Sequence, residues 1–238
     1  MLLSIDTSTR YAGVALSDDE RVVSCRLWYS RVNHTAELMP AVAQTLQHYG
    51  IAAHELKAVA VALGPGGFSS LRVGLSVAKG LVAAAGVPLI GVRTLDLEAR
   101  PYLETGVAIC AMLDAGRGEV ATASFDSQGI AAGEERICPP GELLETISET
   151  TQFCGEGVVP WVSLIKERLG PMALVMASPS PGGRLWSLSA IARERLAAGQ
   201  TDDPAALEPN YLRMPTIGAP KQRDRRPQDA TPGVDRQG

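Results

Sequence analysis

Residues able to do chemistry gather in three short stretches of this 238-residue chain. The first is Asp6-Thr7-Ser8-Thr9, an aspartate at the end of an apolar run followed by three hydroxyls. A carboxylate there could face phosphate directly or through Mg²⁺, with the hydroxyls as donors, or close an Asx-type turn on its own backbone. The second, Gly64-Pro65-Gly66-Gly67-Phe68-Ser69-Ser70, joins an apolar strand pattern to an apolar helix pattern. Its glycines let an anion or a backbone come close, and Ser69 or Ser70 can cap the first free amides of the helix. It has neither G-x-x-x-x-G-K-[ST] nor G-x-G-x-x-G spacing, so it reads as an anion or nucleotide site or as a structural turn. The third, Asp114-Ala115-Gly116-Arg117-Gly118, repeats the device of the first. Two such hairpins facing each other would put Asp6 and Asp114 near one polyanion. Arg117 could then ligate an anion, or pair with Asp114 or Glu119.

Metal and acid–base chemistry find less support. His34 stands at a helix start with Leu38 four residues on, and His48 and His54 lie too far along to complete a helical metal pair. No histidine is placed to activate Ser69 or Ser70, and no paired carboxylates share a helix. Cys25, Cys110, Cys138 and Cys154 have neither metal-ligand nor disulfide-framework spacing, and read as reduced thiols of a cytoplasmic protein.

The elements that must position these stretches follow from periodicity. Residues 2–5, 11–17 and 22–29 read as a meander of three strands, which excludes a dinucleotide fold that needs a helix after its first strand. A helix capped by Asn33 or Thr35 carries Leu38, Val42, Leu46 and Tyr49 at helical spacing, with Pro40 inside it and Gly50 as its stop. Residues 57–63 form a largely buried strand. In the helix that follows, only Arg72, Ser76 and Lys79 are polar between 71 and 85, while Gly74, Ala78, Gly80, Ala83 and Ala84 are small. Such a helix is buried in its own domain or shared with another protein. A strand at 88–92 and a short helix from Thr94 complete a domain over residues 1–100.

Residues 101–214 begin by echoing this plan, with strands at 107–113 and 119–125, a weak sign of internal repetition. Helices at 142–149, 161–169 and 184–198 and strands at 152–156 and 173–177 follow. Tyr211 and Leu212 are expected to anchor the last ordered segment. Residues 215–238, rich in Pro, Lys and Arg, are expected to be a disordered tail with weak, salt-sensitive RNA contact as its only chemical suggestion. Hydrophobic content of 45% with 20% charged residues marks a globular chain, and a net charge of −4 argues against strong independent binding to nucleic acid. No apolar run is read as membrane-spanning, and the N-terminus does not read as a signal peptide.

I-D-T-S-T at 5–9, N-H-T-A-E-L-M-P at 33–40, G-P-G-G-F-S-S-L-R-V-G at 64–74, A-K-G-L at 78–81, D-A-G-R-G-E-V at 114–120 and N-Y-L-R at 210–213 resemble the TsaB family, in order, over about residues 1–214. The resemblance implies an α/β fold of the actin/hexokinase-like type with two similar subdomains. It also implies a non-catalytic role, with the catalytic sibling TsaD and the small ATPase TsaE, in forming threonylcarbamoyladenosine beside the anticodon of tRNA. That sibling has an H-x-x-x-H pair where this chain has His34 and Leu38, so neither metal nor a catalytic residue is expected, and any ATP or ADP binding at Asp6, Thr7, Ser8, Thr9, Asp114 and Arg117 should be weak. The family pairs through helices of the N-terminal domain. The partner face is therefore expected at Leu38, Val42, Leu46, Leu71, Gly74, Leu75, Ala78 and Val82, serving a homodimer or a heterodimer with TsaD. An independent hydrolase, peptidase-like or ATPase, is the alternative.

Overall fold

A computed structural model describes residues 1–31, 33–176 and 182–213. The tail from residue 215, expected to be disordered, lies outside the described residues.

Two five-stranded mixed sheets form the molecule, and they share one plan. In the first, β1 (Leu2–Asp6), β2 (Tyr11–Ser17) and β3 (Val22–Tyr29) form an antiparallel meander. Helix α1 (His34–His48) leads to β4 (Ala58–Ala62), and α2 (Phe68–Ala85) to β5 (Leu89–Val92). The strand order is β3-β2-β1-β4-β5, with β1, β4 and β5 parallel. Helix α3 (Thr94–Ala99) ends this half. The second half repeats the series with β6 (Ala108–Gly116), β7 (Glu119–Phe125), β8 (Arg136–Cys138), α4 (Pro140–Glu145), β9 (Thr151–Cys154), α5 (Val162–Leu169), β10 (Ala173–Val175) and α6 (Gly183–Ala197). Its order, β8-β7-β6-β9-β10 read from the meander side, matches the first. The echo between the two hairpins therefore marks a repeat of the whole unit.

Burial explains the strand types. β1 and β4 are buried along their whole length, which is why they read as unbroken apolar runs, whereas the edge strand β3 is largely exposed. Leu3, Ile5, Val59 and Val61 pack with Leu38, Val42 and Leu46 of α1 and Leu75, Ala78 and Val82 of α2. On the other face of this sheet, Leu2, Ala60 and Ile90 meet Leu188 and Ala192 of α6. Helix α3 in turn lays Leu95 and Ala99 against Ile109, Ala111 and Ala121 of the second sheet. Each half thus lends its last helix to the other's sheet, and a cut after residue 100 would strip both.

Several local expectations change. Helix α2 begins at Phe68 with Gly67 as its N-cap, so neither serine caps it; the Ser70 hydroxyl instead donates back to the Gly67 carbonyl at 2.9 Å. Pro40 falls beyond the first turn of α1. β8 has only three residues and gave no periodic signal. Helix α2, at 18 residues, is long and apolar enough by length and composition to cross a membrane, contrary to the sequence reading. Here it packs along β4 and α1.

Candidate functional site

The two hairpins meet across a cleft, as the sequence suggested. Ser8 and Thr9 of the first and Leu113 and Asp114 of the second line a cavity of about 430 Å³, together with Gly66, Ser70, His34 and Glu156. A neighbouring cavity of about 340 Å³ lies between Gly66, Phe68, Asp114, Arg117 and Tyr211. The glycine-rich turn closes on the first hairpin: a Cβ added to Gly66 would strike the Ser8 carbonyl, and the Gly67 amide donates to that same oxygen at 2.9 Å. The turn after β9 does the same in the second half, where a Cβ on Gly157 would strike the Leu113 backbone. Close approach of backbone to backbone is what Gly66 and Gly157 permit.

Both aspartates make Asx turns. The Ser8 amide donates to Asp6 Oδ1 at 2.9 Å, and the Gly116 amide donates to Asp114 Oδ1 at 2.9 Å. Asp114 is exposed at the cleft, but Asp6 is 1% exposed and turns its other oxygen inward, accepting from Arg184 Nε at 2.6 Å. Thr7 and Ser8 are fully buried as well, and the Thr7 hydroxyl donates to the Ser70 carbonyl at 2.7 Å. Of the two readings of Asp6, the Asx turn is the one the structure shows. The hairpins face each other, yet the Asp6 carboxylate does not face the cavity, because a buried guanidinium has claimed it. Arg117 lines the second cavity at φ +59°, and its supposed partner Glu119 pairs with Arg213 instead.

Arg184, with Glu98 and Glu156, is the feature that sequence reasoning missed. From the first turn of α6 it bonds Asp6, Glu98 Oε1 at 2.9 Å, Glu156, the Thr9 hydroxyl at 2.9 Å and the Tyr11 carbonyl at 3.2 Å. Burial works against its charge, but the carboxylates of Asp6, Glu98 and Glu156 outweigh that and raise its pKa. Burial pushes the Glu98 carboxyl up, and the charge of Arg184 only partly opposes it. The one sequence signal was a cation in the first turn of a helix, the wrong end of the helix dipole unless carboxylates wait there.

His34 Nε2 lies 3.3 Å from the Thr9 carbonyl, the Ser70 hydroxyl is spent on Gly67, and no hydrogen bond joins the two among the described residues. All four cysteines are free, and burial pushes the Cys110 thiol up to about 11. Among the described residues no group of three or more His, Cys, Asp or Glu is arranged to hold a metal ion.

The eight residues expected at a partner face are all buried in the chain's own first half. Leu38 and Ala78 are fully buried, and a Cβ on Gly74 would collide with Thr7 Oγ1. The sequence periodicity had found the inward stripe of both helices. Facing outward are Ala36, Met39, Pro40 and Ala43 of α1, beside the polar Thr35, Gln44, Gln47 and His48, and Ser76, Gly80, Ala83 and Ala84 of α2, beside Arg72. Nothing lies within 4 Å of a Cβ on Gly80.

A family model described as TsaD, tRNA N6-adenosine threonylcarbamoyltransferase, matches residues 29–166. The tRNA threonylcarbamoyladenosine biosynthesis protein TsaB of Escherichia coli (strain K12) is 32% identical over 226 residues, covering 89% of this chain and 94% of the relative. The chain belongs to the TsaB family. A Pseudomonas aeruginosa crystal structure, described as an uncharacterized protein with similarity to peptidase YeaZ, superimposes with a TM-score of 0.73 at 30% identity, over 89% of this chain and 99% of that one. The ethanolamine utilization protein EutJ of Carboxydothermus hydrogenoformans, at 14% identity and a TM-score of 0.52 over 78% of this chain and 88% of its own, shares the fold alone. This TsaB-family chain thus has two mixed α/β subdomains, with its cleft at the hairpin tips.

Proposed function

We propose that this chain is a non-catalytic subunit that activates and scaffolds TsaD, with TsaE, in forming N6-threonylcarbamoyladenosine beside the anticodon of tRNA. The observation that carries this is the fate of the two positions where the resemblance implies a metal pair in the catalytic sibling. Leu38 is fully buried in the core, and His34 Nε2 lies against the Thr9 carbonyl at the edge of the cleft, so the two positions present one imidazole and an apolar side chain rather than a pair of ligands. The Asp6 carboxylate, held by Arg184, is likewise withdrawn from any phosphate, which supports weak nucleotide binding at most. The free cysteines fit a reducing compartment and hence a cytoplasmic role. The actin/hexokinase-like type of the fold belongs to this same reading.

The partner face is the outward stripe of α1 and α2, one step round each helix from the residues the sequence suggested. Gly80 supports this choice, because a glycine inside a helix costs about 0.5–1 kcal/mol relative to alanine and nothing in the free chain requires it. Small residues there allow a second helix to approach closely, whether from another copy of the chain or from TsaD. In a mixture of TsaD, TsaE, threonylcarbamoyl-adenylate and substrate tRNA, modification is expected only when this chain is added. Full modification in its absence would remove the activator role, and peptide hydrolysis by the pure chain that is lost on Ser70→Ala would put a hydrolase in its place.

A further inference from the structure

Helix α6 buries Leu188 and Ala192 against the first sheet, on the face opposite α1 and α2. Trp186, Ala190 and Arg193 follow at i, i+4 and i+7 and so lie one above another along a different side of the helix. Together with Glu20 and Arg21 of the β2–β3 turn, and Arg100 and Pro101 beyond α3, they line a groove of about 370 Å³. Trp186 is 52% exposed there, and among the described residues no other ring and no guanidinium stacks on it. The three arginines are not alike. Arg100 donates to Glu194 at 2.6 Å and Arg21 stands 4.0 Å from Asp18, whereas Arg193 Nη1 is buried without a hydrogen-bond partner among the described residues. A buried donor left unpaired is a cost to the free chain, and it points to an acceptor brought by a ligand. In the lining, three guanidinium groups stand against the single carboxylate of Glu20. Asp18, close by, closes its own turn by accepting from the Glu20 and Arg21 amides at 2.9 and 2.8 Å.

Guanidinium groups beside a bare aromatic face suit a single-stranded nucleic acid, which sets its phosphates on the cations and a base on the ring. An acidic peptide would use the arginines but leave the indole uncovered. We propose that this groove is an RNA contact of the chain, in which Arg193 donates to a phosphate oxygen and Trp186 stacks on an unpaired base. That the RNA is tRNA rests on the function proposed above. The groove lies across the first sheet from the outward stripe of α1 and α2, so RNA and a partner protein do not compete for one surface. A single groove on a chain of net charge −4 gives weak, salt-sensitive binding, which tightens when a partner brings further RNA contacts.

The test uses the full chain and a short single-stranded RNA at low salt, read by tryptophan fluorescence. RNA should quench the emission of the wild type but not that of Trp186→Ala, in which Trp28 and Trp161 remain. Arg193→Met keeps the aliphatic stem and removes the unpaired nitrogen, so it should melt at or above the wild type and yet bind RNA about fivefold more weakly. A merely structural role for Arg193 predicts the reverse, a lower melting temperature with unchanged binding. No quenching of the wild type, equal quenching in Trp186→Ala, wild-type affinity in Arg193→Met, or quenching by polyglutamate or a mononucleotide as strong as by RNA would each overturn the proposal. Because the chain is assayed alone, such a failure leaves the activator role standing, which is decided in the mixture of TsaD, TsaE and tRNA.

Discussion

Two glycines of α2 should respond in opposite ways to the same substitution. At Gly74 a Cβ collides with Thr7 Oγ1, and Thr7 cannot swing aside, being fully buried and bonded to the Ser70 carbonyl at 2.7 Å. Overpacking of this kind costs about 1–3 kcal/mol. Loss of the buried hydrogen bond adds about 1 kcal/mol, and the better helix propensity of alanine returns a similar amount. Gly74→Ala should therefore destabilise by about 1–3 kcal/mol, a fall of roughly 2–12 °C for a chain of this size. At Gly80 the added methyl meets nothing, so Gly80→Ala should gain about 0.5–1 kcal/mol and raise the melting temperature by roughly 1–4 °C. Both changes are Gly→Ala, so their effects on the unfolded chain cancel in the comparison. Melting followed by circular dichroism at several concentrations separates stability from association, which itself shifts the midpoint. If both variants melt above the wild type, Gly74 is not the close contact described here.

Other expectations follow from the buried groups. Glu98 has a raised pKa in the folded chain, so its ionised form is disfavoured there, and Glu98→Gln should stabilise at neutral pH. That gain should fade as pH falls below the ordinary glutamate range of about 4.3, where the carboxyl is protonated in both states, and urea midpoints measured against pH would show it. Leu38→His, placing an imidazole in the core four residues from His34, should destabilise by about 2–4 kcal/mol with no recovery on adding Zn²⁺; a zinc-dependent rise in melting temperature would refute the packing role of Leu38. Under native conditions a thiol reagent read by mass spectrometry should label Cys25, which is exposed, well before Cys110, Cys138 or Cys154.

Much of the fold was legible because the strands that matter are apolar, short and separated by turn residues. The D-T-S-T-R and D-A-G-R-G hairpins were a weak sign of the repeat, and the Asx reading of Asp6 needed only the residue types. Leu212 was recognisable as an anchor and lies on the core of the second half, while Tyr211 stacks at 4.8 Å on Phe68. The partner stripe was misplaced because helical spacing reveals that a helix has a buried face but not which protein buries it. Leu75 and Val82 of α2 looked surplus only until the first sheet was there to receive them. The Arg184 cluster was hidden for a different reason: its partners are scattered, Asp6 lying 178 positions away, and no local pattern links them. The crossed packing of α3 and α6 likewise depends on topology, which composition does not encode.

The central claim, activation of TsaD through the outward stripe by a chain that does no chemistry itself, meets its most direct test in Gly80→Glu. The substitution adds a charge where the free chain has open space, so the variant should stay folded and lose only association, since a charge buried unpaired between helices is strongly unfavourable. The measurement is threonylcarbamoylation of tRNA by TsaD and TsaE with wild-type chain, Gly80→Glu or Ser70→Ala. Modification should fall by at least about tenfold with Gly80→Glu and hold with Ser70→Ala, apart from any change in its melting temperature. Undiminished modification with Gly80→Glu would contradict the account of the surface, and undiminished modification with no chain added would contradict the account of the function.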